Sequence, residues 1–150
     1  MKQINRLMPV LWGVSIVILA LFYAQLPERV GTHLNFNGDV DAWGGKSQLW
    51  ILPIIFLVIW LLLSLLLHYA PVWERNIQGK SIETSKAQRQ DVLLILVIVQ
   101  LTVWVLYTVH LVYTLNGKEG IPFWLMWLAY LVIGLTLITR IVHVFKQNQA

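Results

Sequence analysis

The chain contains no cysteine, which excludes disulfides and thiolate metal sites while leaving the compartment open. Charge is scarce as well. Only 12% of the 150 residues are charged, 58% are hydrophobic, and the mean hydropathy is +0.69. Ordinary soluble domains are about half apolar and a quarter charged, so this composition excludes a soluble globular domain. No repeat of fixed period and no low-complexity tract is present. No Asp, Glu, Lys or Arg falls near the centre of a long apolar run, and no inverted repeat is evident. Both absences weigh against a proton-coupled transporter.

What the chain does have is apolar length. Four runs approach or exceed the roughly 20 residues needed to cross a bilayer: Leu7–Gln25, Leu49–Tyr69, Val92–Leu115 and Ile121–Val144. The first has a basic start at Lys2 and Arg6. Its apolar stretch is longer than a signal-peptide core, and Phe22 occupies the position three before a cut after Ala24, so it reads as a retained helix. The expected fold is an all-α integral membrane protein, a four-transmembrane-helix bundle forming one domain over residues 1–150.

Orientation follows from the basic residues. An inside N-terminus puts Lys2, Arg6, Arg75, Lys80, Lys86, Arg89, Arg140 and Lys146 in the cytoplasm and leaves Arg29, Lys46 and Lys118 outside. Eight against three favours both termini in the cytoplasm. The pI near 9.6 therefore reflects topology, and no nucleic-acid partner is implied. Trp43, Trp50, Trp124 and Trp127 fall near the outer interface, where amphipathic rings belong. The second loop, Pro71 to Gln90, is expected to form an interfacial helix meeting anionic headgroups. Asn116-Gly117 suits a helix end and Pro122 the start of the next helix. Gln100 and Thr102, the most central polar residues, are expected to hydrogen-bond a neighbouring helix, and Arg140 to snorkel toward the cytoplasm.

The first loop holds the densest polar pattern, with His33, Asn35, Asn37, Asp39 and Asp41 at every second position. As an extended strand it would put these on one face and Leu34, Phe36 and Val40 on the other. Asn37-Gly38 instead signals a two-residue hairpin pairing Phe36 with Asp39 and Leu34 with Asp41, and the two backbones conflict. An EF-hand fails, because position one would be His33 and position twelve Gly44. A metal site is not expected; its least implausible ligands are His33, Asp39, Asp41 and His110, which lack an HxxxH-type spacing. No cofactor is expected.

The stretch LPERVGTHLNFNGDVDAWGGK, Leu26 to Lys46, resembles the signature of a bacterial membrane-domain family of unknown function. That domain occurs at the N-terminus of SdpI-type toxin immunity proteins. Leu26, Pro27, His33, Asn35, Gly38, Asp41 and Lys46 match the pattern. Gly31 replaces a frequent Pro, and Leu34 a usual aromatic. The likeness covers about residues 10–65, and the second loop lacks the Gly-x-Arg-x-Pro-type element of the immunity proteins. The resemblance implies a non-enzymatic immunity or sensing protein recognising an extracytoplasmic antimicrobial peptide or lipid through residues 26–47, with the basic second loop meeting a cytoplasmic regulator. His33, Asn35, Asp39, Asp41 and Lys46 are then the ligand-binding residues. Two other expectations compete with it. One is a structural membrane subunit whose loop only caps the helices. The other is an enzyme acting on a lipid-linked substrate with His33 and Asp39 or Asp41 as acid and base.

Overall fold

The structure, a computed structural model, describes residues 2–77 and 82–148. Helix α1 spans Lys2–Phe22 and tightens into a 3-10 turn at Tyr23–Gln25. Pro27 then disfavours helix at Leu26, which is extended (φ −72°, ψ 141°). Two strands follow, β1 (Arg29–Leu34) and β2 (Val40–Gly45), and a 3-10 segment Lys46–Trp50 leads into α2 (Ile51–Ile77). Pro53 sits in the first turn of α2, where its missing N–H would have had no partner anyway. Helices α3 (Ile82–Leu115) and α4 (Phe123–Asn148) complete the chain.

Four helices are long and apolar enough to cross a membrane, over Arg6–Gln25, Lys46–Leu66, Gln90–Leu115 and Phe123–His143. The sequence-derived spans agree to within a few residues. That is the make-up of a multi-pass helical membrane protein, and the all-α expectation needs one correction. Its ordered loop is a two-stranded antiparallel sheet. The second loop is also shorter than expected, since α2 runs to Ile77 and α3 starts at Ile82; the helix expected there is the first part of α3. Residues 78–81 of that loop lie outside the described residues.

Helix α3 ends in a Schellman motif. The Lys118 N–H donates to the Tyr113 carbonyl (2.9 Å) and the Gly117 N–H to that of Thr114 (3.1 Å), with Gly117 left-handed at φ 67°. Pro122 directly precedes α4, and its carbonyl accepts from the Leu125 N–H at 3.0 Å.

Helices α1, α2 and α3 pack against one another, whereas α4 packs mainly on α3. Between apolar helices in lipid the hydrophobic effect adds little, so close packing and hydrogen bonds hold the bundle. Trp12, fully buried, stacks on Phe56 (4.9 Å between centroids, 13° between planes) and tilts against Tyr107 (5.9 Å). Removing such a ring typically costs about 3–5 kcal/mol. Trp104 of α3 donates through Nε1 to Ser15 Oγ (2.9 Å) on α1, and the Tyr107 hydroxyl donates to the Leu49 carbonyl (3.0 Å). Thr102 does not reach a neighbouring helix: its hydroxyl donates to the Ile98 carbonyl of its own helix at 2.8 Å. Gln100 is buried, with its Oε1 unpaired.

At the far end of the bundle, Arg140 of α4 reaches across to α3. It donates to Asp91 of α3 at 2.9 Å, and His143 lies 3.3 Å from the other oxygen of that carboxylate. Asp91 is buried.

Candidate functional site

The hairpin at the opposite end is built by its turn residues. The Asn35 N–H donates to the Asp39 carbonyl (2.8 Å) and the Gly38 N–H to the Asn35 carbonyl (3.0 Å). This is a three-residue loop, Phe36-Asn37-Gly38, closed by a glycine at φ 91°. A two-residue Asn37-Gly38 turn of the mirror-image type needs positive φ at both residues, and Asn37 does not have it. Asn35 decides the matter with its side chain, whose Oδ1 accepts from the backbone N–H groups of Asn37 (2.9 Å) and Asp39 (3.0 Å). Leu34 therefore pairs with Val40, not with Asp41, and His33 pairs with Ala42 across a shifted register.

Three clamps fix the hairpin to the bundle, and a fourth bond closes its base. The Ile121 N–H donates to the Gly38 carbonyl (2.9 Å), the Tyr130 hydroxyl to that of Phe36 (3.3 Å), and His110 Nε2 to that of Gly31 (2.9 Å). At the base, the Lys46 N–H donates to the Glu28 carbonyl at 3.2 Å. The loop is ordered because its carbonyls are held. Of its apolar set, Val30 is buried and Leu34 and Val40 are half-buried. Phe36 and Trp43 remain exposed, Phe36 to 81%, although its ring lies 6.2 Å from that of Tyr130.

The five residues expected to form one recognition face separate into three groups. Asn35 and Asp39 make the turn, with Asn35 Nδ2 3.3 Å from Asp39 Oδ2. Lys46 pairs with Glu28 at 2.9 Å and sits 5.1 Å from the centre of the Tyr23 ring, which places it at the hairpin base. His33 and Asp41 hydrogen-bond across the strands and stay exposed. Among the described residues, no three His, Asp or Glu side chains gather at metal-binding spacing, and His110 faces backbone. Of the interface tryptophans, Trp124 and Trp127 are exposed, while Trp50 is half-buried and packs on Tyr23 at 5.8 Å.

Beside His33, under the hairpin, lies an apolar cavity of about 400 Å³. Leu52, Val103, Leu106 and Met126 supply its apolar walls; Tyr107 and His110 supply its polar ones. Residues 31–34 of β1 close one side of it, and α4, which packs mainly on α3, contributes Met126. Two of its residues, Tyr107 and His110, belong to a polar stripe visible in the sequence. Gln100, Tyr107, His110 and Thr114 are spaced by seven, three and four residues, which is one face of a helix, and all four are buried. No spacing on one helix points to Asp91 and Arg140, whose pairing depends on how α3 meets α4.

Residues 10–57, which comprise most of α1, the hairpin and the start of α2, match a domain described as a domain of unknown function (DUF1648). An uncharacterized protein of Archaeoglobus fulgidus is 40% identical over 47 residues, covering 29% of this chain and 26% of its own length. The chain thus aligns with about a quarter of that relative, and the likeness reaches outside bacteria. No solved structure matches.

Proposed function

We propose that this chain is a non-enzymatic protein of a bacterial plasma membrane that recognises an extracytoplasmic amphipathic ligand at its hairpin, in an SdpI-like immunity or sensing role. Both termini face the cytoplasm, as the eight-to-three distribution of basic residues favours. The carrying observation is the placement of His33 and Asp41. The hairpin is clamped through its backbone, so these two exposed side chains stand free of the docking, and His33 borders the apolar cavity. Such a site takes an apolar segment into the cavity and a polar group onto the His33–Asp41 edge, the usual division of labour in a ligand pocket. Asn35, Asp39 and Lys46 shape and anchor the hairpin and support recognition without touching the ligand.

The test is protection of cells expressing the chain against a panel of apolar membrane-active peptides. His33→Ala and Asp41→Ala should each lower the protective peptide concentration by about tenfold, the value of one lost charge-assisted hydrogen bond, at unchanged membrane levels. Asn35→Ala, which strips two backbone donors of their acceptor, should instead reduce accumulation of the protein. Full protection by both site variants, or none by the native chain across the panel, overturns the proposal.

The same pair supports one further reading, an enzyme acting on a lipid-linked substrate. Asp41 accepts from His33 Nδ1, which orients the ring and leaves Nε2 as a base. Asp39 belongs to the turn and takes no part. Asp41→Asn separates the two: a binding site keeps most of its function, whereas a base held in the wrong tautomer loses it.

A further inference from the structure

We infer that a second cavity, between β1 and the α3–α4 turn, is a headgroup site for a monoanionic phospholipid. It measures about 220 Å³ and shares only Gly31 and His110 with the apolar cavity.

Its charge argues the anion. Arg29, Lys46 and Lys118 are the basic residues at this end of the chain, and Lys46 is neutralised by Glu28. Arg29 and Lys118 both line the small cavity, and among the described residues neither makes an ion pair. Lys118 Nζ lies 5.4 Å from the centre of the Tyr113 ring, an attraction that helps hold the ammonium in place. Glu119 also lines the cavity, so its side chains sum to one positive charge. A phosphodiester carries one negative charge and fits; a phosphomonoester carries nearly two.

His110 ties the cavity to the hairpin. It is 8% exposed, and Nε2 donates to the Gly31 carbonyl, which fixes two residues of the cavity wall. Trp43, 42% exposed, forms part of the wall, an amphipathic ring of the kind found at headgroup depth. The occupant is therefore a lipid of the surrounding leaflet, its headgroup in the cavity and its chains in the bilayer. The attraction is the one by which basic residues near a membrane surface hold anionic headgroups.

Native mass spectrometry of the full detergent-solubilised chain tests the assignment, with phosphatidylglycerol, phosphatidylcholine of the same acyl chains, and soluble glycerophosphoglycerol as probes. Phosphatidylglycerol should be retained about tenfold over phosphatidylcholine, as two cations near a membrane surface allow. Arg29→Ala with Lys118→Ala should abolish that preference, and Arg29→Lys with Lys118→Arg should keep it. Equal retention of the two lipids overturns the inference, as does a preference that survives the double alanine variant. Binding of the soluble headgroup as tightly as the lipid overturns it too, because the site would then serve a free anion. None of these outcomes touches the His33 and Asp41 variants, so hairpin recognition stands or falls separately.

Discussion

At position 120 the backbone is left-handed, φ 70°, and a Cβ would fall 2.4 Å from the Gly38 carbonyl oxygen. That oxygen is the one held by the Ile121 N–H, so the glycine lets the hairpin tip and the α3–α4 turn approach closely. Gly117, one turn earlier in the chain, has φ 67° but nothing within 4 Å of its Cβ position. The pair separates strain from contact. Gly117→Ala should cost about 1 kcal/mol, the conformational penalty alone. Gly120→Ala should cost about 2–3 kcal/mol, because a clash with backbone adds to it. Thermal unfolding in detergent measures the difference. Limited proteolysis gives the sharper readout: the hairpin of Gly120→Ala should be cleaved readily, while that of Gly117→Ala stays protected. Sequence could mark both glycines as turn residues, but not which one touches another loop.

Helices α3 and α4 form the pair with fewest alternatives, since α4 has no other major partner. Asp91 and Arg140 join them at the end away from the hairpin, with side chains 10% and 32% exposed. A buried charge that loses its partner is costly, whereas an apolar pair of similar volume is tolerated. Asp91→Ala should therefore lower stability by roughly 1–3 kcal/mol, the smaller end reflecting partial exposure of Arg140. Asp91→Leu combined with Arg140→Met should restore most of the loss, which denaturant unfolding in detergent can measure. The elements themselves were largely legible. Span length and hydropathy gave all four helices, because a run of about 20 apolar residues has few other fates. The hairpin was half legible: Asn37-Gly38 announced a turn, but the Asn35 side chain chose a longer loop and shifted the register. The site was less so. Alternation of polar residues implied one face, whereas Asn35 and Asp39 bond to each other at the turn and leave only His33 and Asp41 paired across the strands.

For the whole molecule, the proposed orientation is open to a direct measurement. Cysteine at Asn37 should react with a membrane-impermeant thiol reagent on intact cells, and cysteine at Gln90 should react only after permeabilisation; the native chain has no cysteine to interfere. The reverse pattern would turn the protein over and put the hairpin in the cytoplasm. A different consequence follows from where the hairpin clamps come from. The segment matching the domain of unknown function stops at residue 57, yet the groups holding the Gly31, Phe36 and Gly38 carbonyls belong to His110, Tyr130 and Ile121. The segment is thus not a self-sufficient module. Grafted onto an unrelated second half, it would carry three backbone acceptors that its new host must learn to satisfy. Swapping experiments among proteins that share it should succeed only where the host offers donors at those three places.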